Sequence, residues 1–161
     1  MSAPVFITPT FAVAPALSPA DLEALAARGV RAVISNRPDG EEEGQLSGRQ
    51  EAVHAWRQGL AFRHIPVSKH ELFEDHAIEA MADALARLDG PVVAHCKSGL
   101  RSVILWAAAS ARSEPVDCVV AAARRAGFDI SFLREELAAQ ADRRRWIGRP
   151  AALDCGAAIA A

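Results

Sequence analysis

Short apolar runs alternate along this chain with longer stretches whose apolar positions recur at helical spacing. Phe11 to Ala14 predicts a first short strand. Ser18-Pro19-Ala20-Asp21 then reads as a helix start, with Ser at the N-cap, Pro in the first turn and an acid at N3. Leu22, Leu25 and Ala26 give that helix an apolar face, and Gly29 stops it. Val30 to Ile34 predicts a β-branched strand, and Asn36-Arg37-Pro38-Asp39-Gly40 is dense in turn formers. The acidic run Glu41, Glu42 and Glu43 that follows is expected to be a solvated loop. Ser47-x-x-Gln50 opens a second helix as a capping box, with Val53 and Trp56 expected on its inner face.

Leu60 to Val67 predicts the next strand, broken by Pro66. Ile78, Met81, Ala82, Leu85 and Leu88 are spaced for a third amphipathic helix, with Asp75 expected near its N-cap. Pro91 to Ala94 is continuously apolar, as in a strand buried on both faces of a parallel sheet. Leu100 to Ala111, Pro115 to Gly127, and Ile130 to about Trp146 predict three closing helices. Strands alternating with helices and then a run of helices indicate an α/β domain of three layers. Its mainly parallel sheet of four or five strands is flanked by helices. Ligands of such sheets bind beyond the carboxyl ends of the strands.

Composition narrows the class. The 161 residues suffice for one domain, expected over 1–147 as a single catalytic unit with a small apolar tail at 148–161. Eighteen Lys+Arg against 20 Asp+Glu leave a net charge of −2, which argues against a general nucleic-acid binder and against an anionic membrane surface. No run of 18 apolar residues exists to span a membrane, and no basic residue precedes Arg28 to lead a signal peptide. Three cysteines, at 96, 118 and 155, are too few for a disulfide framework and fit a reducing compartment, so a cytoplasmic protein is expected.

The chemistry follows the strand at 91–94. It runs straight into His95-Cys96-Lys97-Ser98-Gly99-Leu100-Arg101-Ser102 and then a helix. Loop amides and the helix dipole create positive potential around the Cys96 sulfur. Arg101 adds a permanent cation with a planar fork of donors. Together they are expected to hold Cys96 as a thiolate and to bind an oxyanion. Gly99 lets the backbone turn inward without a Cβ, and the Ser102 hydroxyl lies where it would donate to the thiolate. Lys97 adds a cation at the rim; His95 supports the loop, and Asn36 and Arg37 follow a strand that approaches the same end. Cys118 and Cys155 lack this setting and read as structural or incidental, and His54, His64, His70 and His76 read as surface residues. No metal-ligand spacing, Walker loop or dinucleotide glycine loop occurs, so no metal or cofactor is implied.

His-Cys-x-x-Gly-x-Arg-Ser resembles the loops of cysteine-dependent phosphatases and rhodaneses. Val33 to Glu41, Arg63-His64-Ile65-Pro66-Val67, and His95 to Ser102 leading into Trp106 resemble one family in particular. It is the phosphatase-like domain of the beta-lactamase-hydrolase-like proteins, also known as DUF442. The resemblance spans about residues 5–112 and implies a dual-specificity-phosphatase-like fold. Members of the family have been named both phosphatases and sulfur transferases.

Two features bear on the reaction. Four residues separate Cys96 from Arg101, a rhodanese-length loop, where tyrosine phosphatases have five. Phosphatases of this kind also take a general acid from a loop after the strand ending in Pro-Val; here Ser68, Lys69 and His70 stand there, with Glu71, Glu74 and Asp75 the nearest acids. Both features favour a sulfurtransferase that passes sulfane sulfur through a Cys96 persulfide from a small anionic donor. The alternative is a phosphatase acting on a phosphoester through a cysteinyl-phosphate. A third reading is a non-enzymatic module that senses anions or persulfides through Cys96.

Overall fold

The computed structural model describes residues 3–143. The 148–161 tail, Trp146 and Cys155 lie outside them. Five strands form one sheet: β1 (Val5–Thr8), β2 (Phe11–Ala14), β3 (Ala32–Ser35), β4 (Ala61–His64) and β5 (Val92–His95), in the order β1-β2-β5-β3-β4. β2, β5, β3 and β4 run parallel, and β1 pairs antiparallel with β2 at the edge. Six α-helices surround the sheet: α1 (Pro19–Ala27), α2 (Gly48–Arg57), α3 (Asp75–Arg87), α4 (Leu100–Ala111), α5 (Val116–Arg125) and α6 (Arg134–Asp142), with a 3₁₀ turn at Ser131–Leu133 before α6.

The period of two along each strand divides the core into two layers. Ala12, Ala14, Val33, Phe62 and Val93 pack on Leu22 and Leu25 of α1 and Ala52 and Ala55 of α2. Phe11, Val13, Ala32, Ile34, Val92 and Ala94 face the other way, onto α3, α4, α5 and α6. There Trp106 stacks on Phe11 with ring centroids 5.9 Å apart. α4 has almost no exposed face because α3, α5 and α6 enclose it. That explains why its sequence is apolar all round.

Both expected capping boxes form, Ser18 with Asp21 and Ser47 with Gln50. α2 turns its other face inward, however. Val53 is 38% and Trp56 64% exposed, while Gly48, Glu51, Ala52 and Ala55 are buried. Small side chains at this spacing let α2 approach the sheet closely. At Gly48 a Cβ would run into the His64 ring, so the larger apolar residues are left outside. His64 is thus no free surface residue, since its Nε2 lies 2.9 Å from the Arg37 carbonyl. The N-cap of α3 is Glu74, without a side-chain bond, so Asp75 falls in the first turn.

The sheet's register brings its reactive residues to one level. His95 at the end of β5 pairs with Ala14 on one side and Ser35 on the other, and Ser35 pairs with His64.

Candidate active site

The chain leaves β5 at Cys96, turns through Lys97, Ser98 and Gly99, and enters α4 at Leu100. Gly99 is the N-cap with φ +93°, a left-handed conformation that side chains disfavour. Space makes the same demand, because a Cβ there would lie 3.3 Å from the Ala14 carbonyl oxygen. The turn points the Gly99 N–H at the Cys96 sulfur, 3.1 Å away, at the positive end of α4. The Ala16 N–H donates to the Lys97 carbonyl at 3.3 Å and ties the loop to the chain after β2. Cys96 is fully buried and is the free cysteine among the described residues. Cys118, on α5, is not a free thiol.

Arg101, on the first turn of α4, is held at both edges of its fork. Nη1 donates to the Val67 carbonyl at 3.0 Å, and Nη2 donates to Glu41 at 2.9 Å. Burial opposes its charge, but the bond to Glu41 and the charge of Cys96 outweigh this and raise its pKa further above the solvent range. The Val67 carbonyl, which orients Arg101, directly precedes Ser68, Lys69 and His70.

The 41–43 run is an exposed loop, as expected, but Glu41 and Glu42 do not project freely into solvent. Glu41 bonds both Arg101 and the Arg37 Nε, the latter at 2.9 Å, and Glu42 pairs with Arg37 and Lys97. Arg101 foremost, and Arg37, hold the Glu41 carboxyl below its usual value against the opposing effect of burial. Lys97 and Arg37 do the same for Glu42. The two carboxylates thus sit as oxyanions on the cations around Cys96. A run of three glutamates gives no hint of this, because two of the three cations that hold them, Lys97 and Arg101, lie more than fifty residues further along the chain.

Beneath the loop lies a second polar group. Glu51 of α2, only 6% exposed, points its carboxylate at the His95 Nε2, 3.5 Å away. Burial pushes its carboxyl up, but His95, Ser35 and His64 together outweigh this and leave it below its usual value. No local pattern marks this pair, since α2 is joined to β5 only through the fold.

The other expected site residues divide between these groups. Arg37 joins Arg101 and Lys97 through the shared Glu41 and Glu42 carboxylates; Asn36 does not, because its amide donates to the Ile65 carbonyl at 3.0 Å and fixes the turn after β3. Ser98 is exposed, and its hydroxyl receives only a long bond from the Leu100 N–H, at 3.5 Å. Ser102 is buried with its hydroxyl unpartnered, so the expected bond to the Cys96 sulfur is absent; a helical residue one turn into α4 points into the core. Two of the acids in the 68–75 segment are engaged away from Arg101. Glu71 folds back onto the Ser68 N–H at 3.0 Å, and Asp75 pairs with Arg112 at 2.7 Å and Arg143 at 2.5 Å.

A cysteine-bearing loop between a central strand and a helix, closed by an arginine, on a sheet of this topology, defines the cysteine phosphatase fold. Two solved structures under 25% identical share it. A Shewanella putrefaciens protein described as a candidate phosphatase (DUF442) aligns over 86% of this chain and 92% of its own, at 17% identity and TM-score 0.64. Tk-PTP in its active form aligns over 89% and 99%, at 19% identity and TM-score 0.63.

Within that class the chain belongs to the family of the beta-lactamase hydrolase-like protein, phosphatase-like domain, whose model matches residues 5–113. A candidate phosphatase from Neisseria meningitidis Z2491 is 30% identical over 84% of this chain and 96% of its own, at TM-score 0.72. The beta-lactamase hydrolase-like protein of Agrobacterium fabrum is 41% identical over 87 residues, 54% of this chain. The match spans about a fifth of that curated relative's length. Among the described residues no helix is long and apolar enough to cross a membrane.

Proposed function

We propose that this domain is a phosphatase working through a cysteinyl-phosphate on Cys96. One observation carries the reading. Beside a sulfur that receives a helix N-terminal amide, Arg101 already holds an oxyanion, the Glu41 carboxylate, on the edge of its fork not fixed by Val67. A phosphoryl oxygen taking that edge places phosphorus before the sulfur. The Cys96 sulfur then attacks, the phosphorus–oxygen bond to the leaving group breaks, and Arg101 with the loop amides holds the charge on the remaining oxygens. Water next attacks phosphorus, the sulfur–phosphorus bond breaks, and inorganic phosphate leaves.

Proton supply to the leaving group is the weak point of the site. Glu71 and Asp75 are bonded elsewhere, and Glu41 is kept ionised by Arg101. The domain therefore favours substrates whose leaving groups need little protonation, because a missing general acid costs about 10²–10⁴-fold.

Sulfur transfer remains as the second reading on the four-residue spacing from Cys96 to Arg101. The family and its structural neighbours support the phosphatase better. Rapid quenching during turnover of p-nitrophenyl phosphate tests the proposal. It predicts a phosphoryl group on the Cys96 peptide by mass spectrometry, and turnover with Cys96 unmodified would contradict it.

A further inference from the structure

We infer that the pocket has two adjacent anion seats, and that its substrate carries a second phosphate or carboxylate beside the phosphoryl group that is transferred. The inference deepens the phosphatase reading and rests on it for which group is transferred. The inner seat is Arg101 with one edge of Arg37, now filled by Glu41. The outer seat is the other part of the Arg37 fork with Lys97, now filled by Glu42. Arg37 belongs to both, so the two seats lie as close together as the carboxylates of consecutive residues.

Arg37 decides the argument. Its side chain is only 8% exposed, and an arginine so buried requires partners. Both of its side-chain partners come from one acidic run, carried between Gly40 and Gly44, each at positive φ. Arg37 itself is anchored elsewhere. Its carbonyl meets the His64 Nε2, and Asn36 before it is bonded to Ile65. The backbone that carries the guanidinium is therefore held independently of the glutamates. A single phosphate filling the inner seat would leave Lys97 and part of Arg37 on Glu42. A ligand with two neighbouring anionic groups replaces both carboxylates and leaves no buried cation unpaired.

Calorimetry on the intact protein with methylphosphonate and methylenediphosphonate tests this, because phosphonates bind without being turned over. The diphosphonate should bind at least about 10-fold more tightly, the scale of one charged hydrogen-bond set. Lys97→Gln should cut that advantage several-fold, and Arg37→Gln should remove most of it. Glu42→Gln should increase it, by freeing the outer seat. Should Arg37→Gln fail to fold, the exposed Lys97 and Glu42 positions still decide the matter.

Equal affinity for the two ligands overturns the inference, as does an advantage that survives both cation substitutions, which would be general charge attraction. Failure of the phosphatase reading looks different. Wild-type protein that turns over no aryl phosphate but keeps a diphosphonate preference dependent on Lys97 retains the two seats and loses the reaction.

Discussion

Two polar clusters lie at the carboxyl end of the sheet, one above the Cys96 loop and one below it, and they are built differently. Above, Arg37, Lys97 and Arg101 meet Glu41 and Glu42, charge against charge, with the carboxylates on an exposed run. Below, Ser35, Glu51 and His95 are buried between α2 and the strand ends. The upper group is arranged to trade one anion for another. The lower group holds the level from which Cys96 departs. Substitutions above should therefore change chemistry with little change in stability, and substitutions below should do the reverse.

The largest effect belongs to the nucleophile. Cys96→Ser should lower aryl-phosphate turnover by at least about 10³-fold while methylphosphonate still binds. Measurable turnover in that variant would move the chemistry away from this loop. Arg101→Lys comes next, with an expected loss on the order of 10²-fold, comparable to removing one oxyanion donor. A point charge cannot hold the Val67 carbonyl and an oxyanion on two edges at once. Its melting temperature should stay near that of the parent, and a large drop would mean that Arg101 is structural.

Gly99→Ala probes the boundary between the clusters. The positive φ and the 3.3 Å approach to Ala14 should cost about 1–3 kcal/mol and lower melting by several degrees. Activity should fall as well, because the amide that meets the sulfur moves with the turn. A variant with unchanged melting and unchanged rate would contradict the geometry of this N-cap.

Glu51→Gln probes the lower cluster alone and should destabilise by about 1–3 kcal/mol at neutral pH. Since the folded protein holds this carboxyl below its usual value, its contribution is complete above the unfolded pKa of about 4.3 and is lost as pH falls through the lower folded value. The stability gap between parent and variant should accordingly close below about pH 4. A gap independent of pH would assign the effect to packing and not to charge.

What the sequence made legible divides along physical lines. The Cys96 loop, α4 and both capping boxes depend on neighbours within a few residues, and each was readable. β1 was not, because a four-residue edge strand with two exposed positions has no clear alternation. The inner face of α2 was misread because Ala52 and Ala55 carry less hydrophobic weight than Val53 and Trp56, although small residues allow the closer approach. Glu41, Glu42 and Glu51 were missed as site residues because Arg101, Lys97 and His95, their partners beyond nearby Arg37, lie far along the chain, and the pairing of β3 with β5 brings those segments together. The four-residue spacing of Cys96 and Arg101 was legible, but its weight was not. That spacing, together with the lack of an acid just after Pro66-Val67, favoured sulfur transfer, whereas the family and its structural neighbours favour phosphate chemistry.

The central claim, phosphate transfer at Cys96, is tested most directly by two assays on one preparation. One follows hydrolysis of p-nitrophenyl phosphate, and the other follows thiocyanate formation from thiosulfate and cyanide. The account predicts phosphate release at about 1 s⁻¹ or faster, the low end of ordinary enzyme turnover, abolished by Cys96→Ser and with no thiocyanate formed. Thiocyanate production that depends on Cys96, with aryl phosphate left intact, would contradict it.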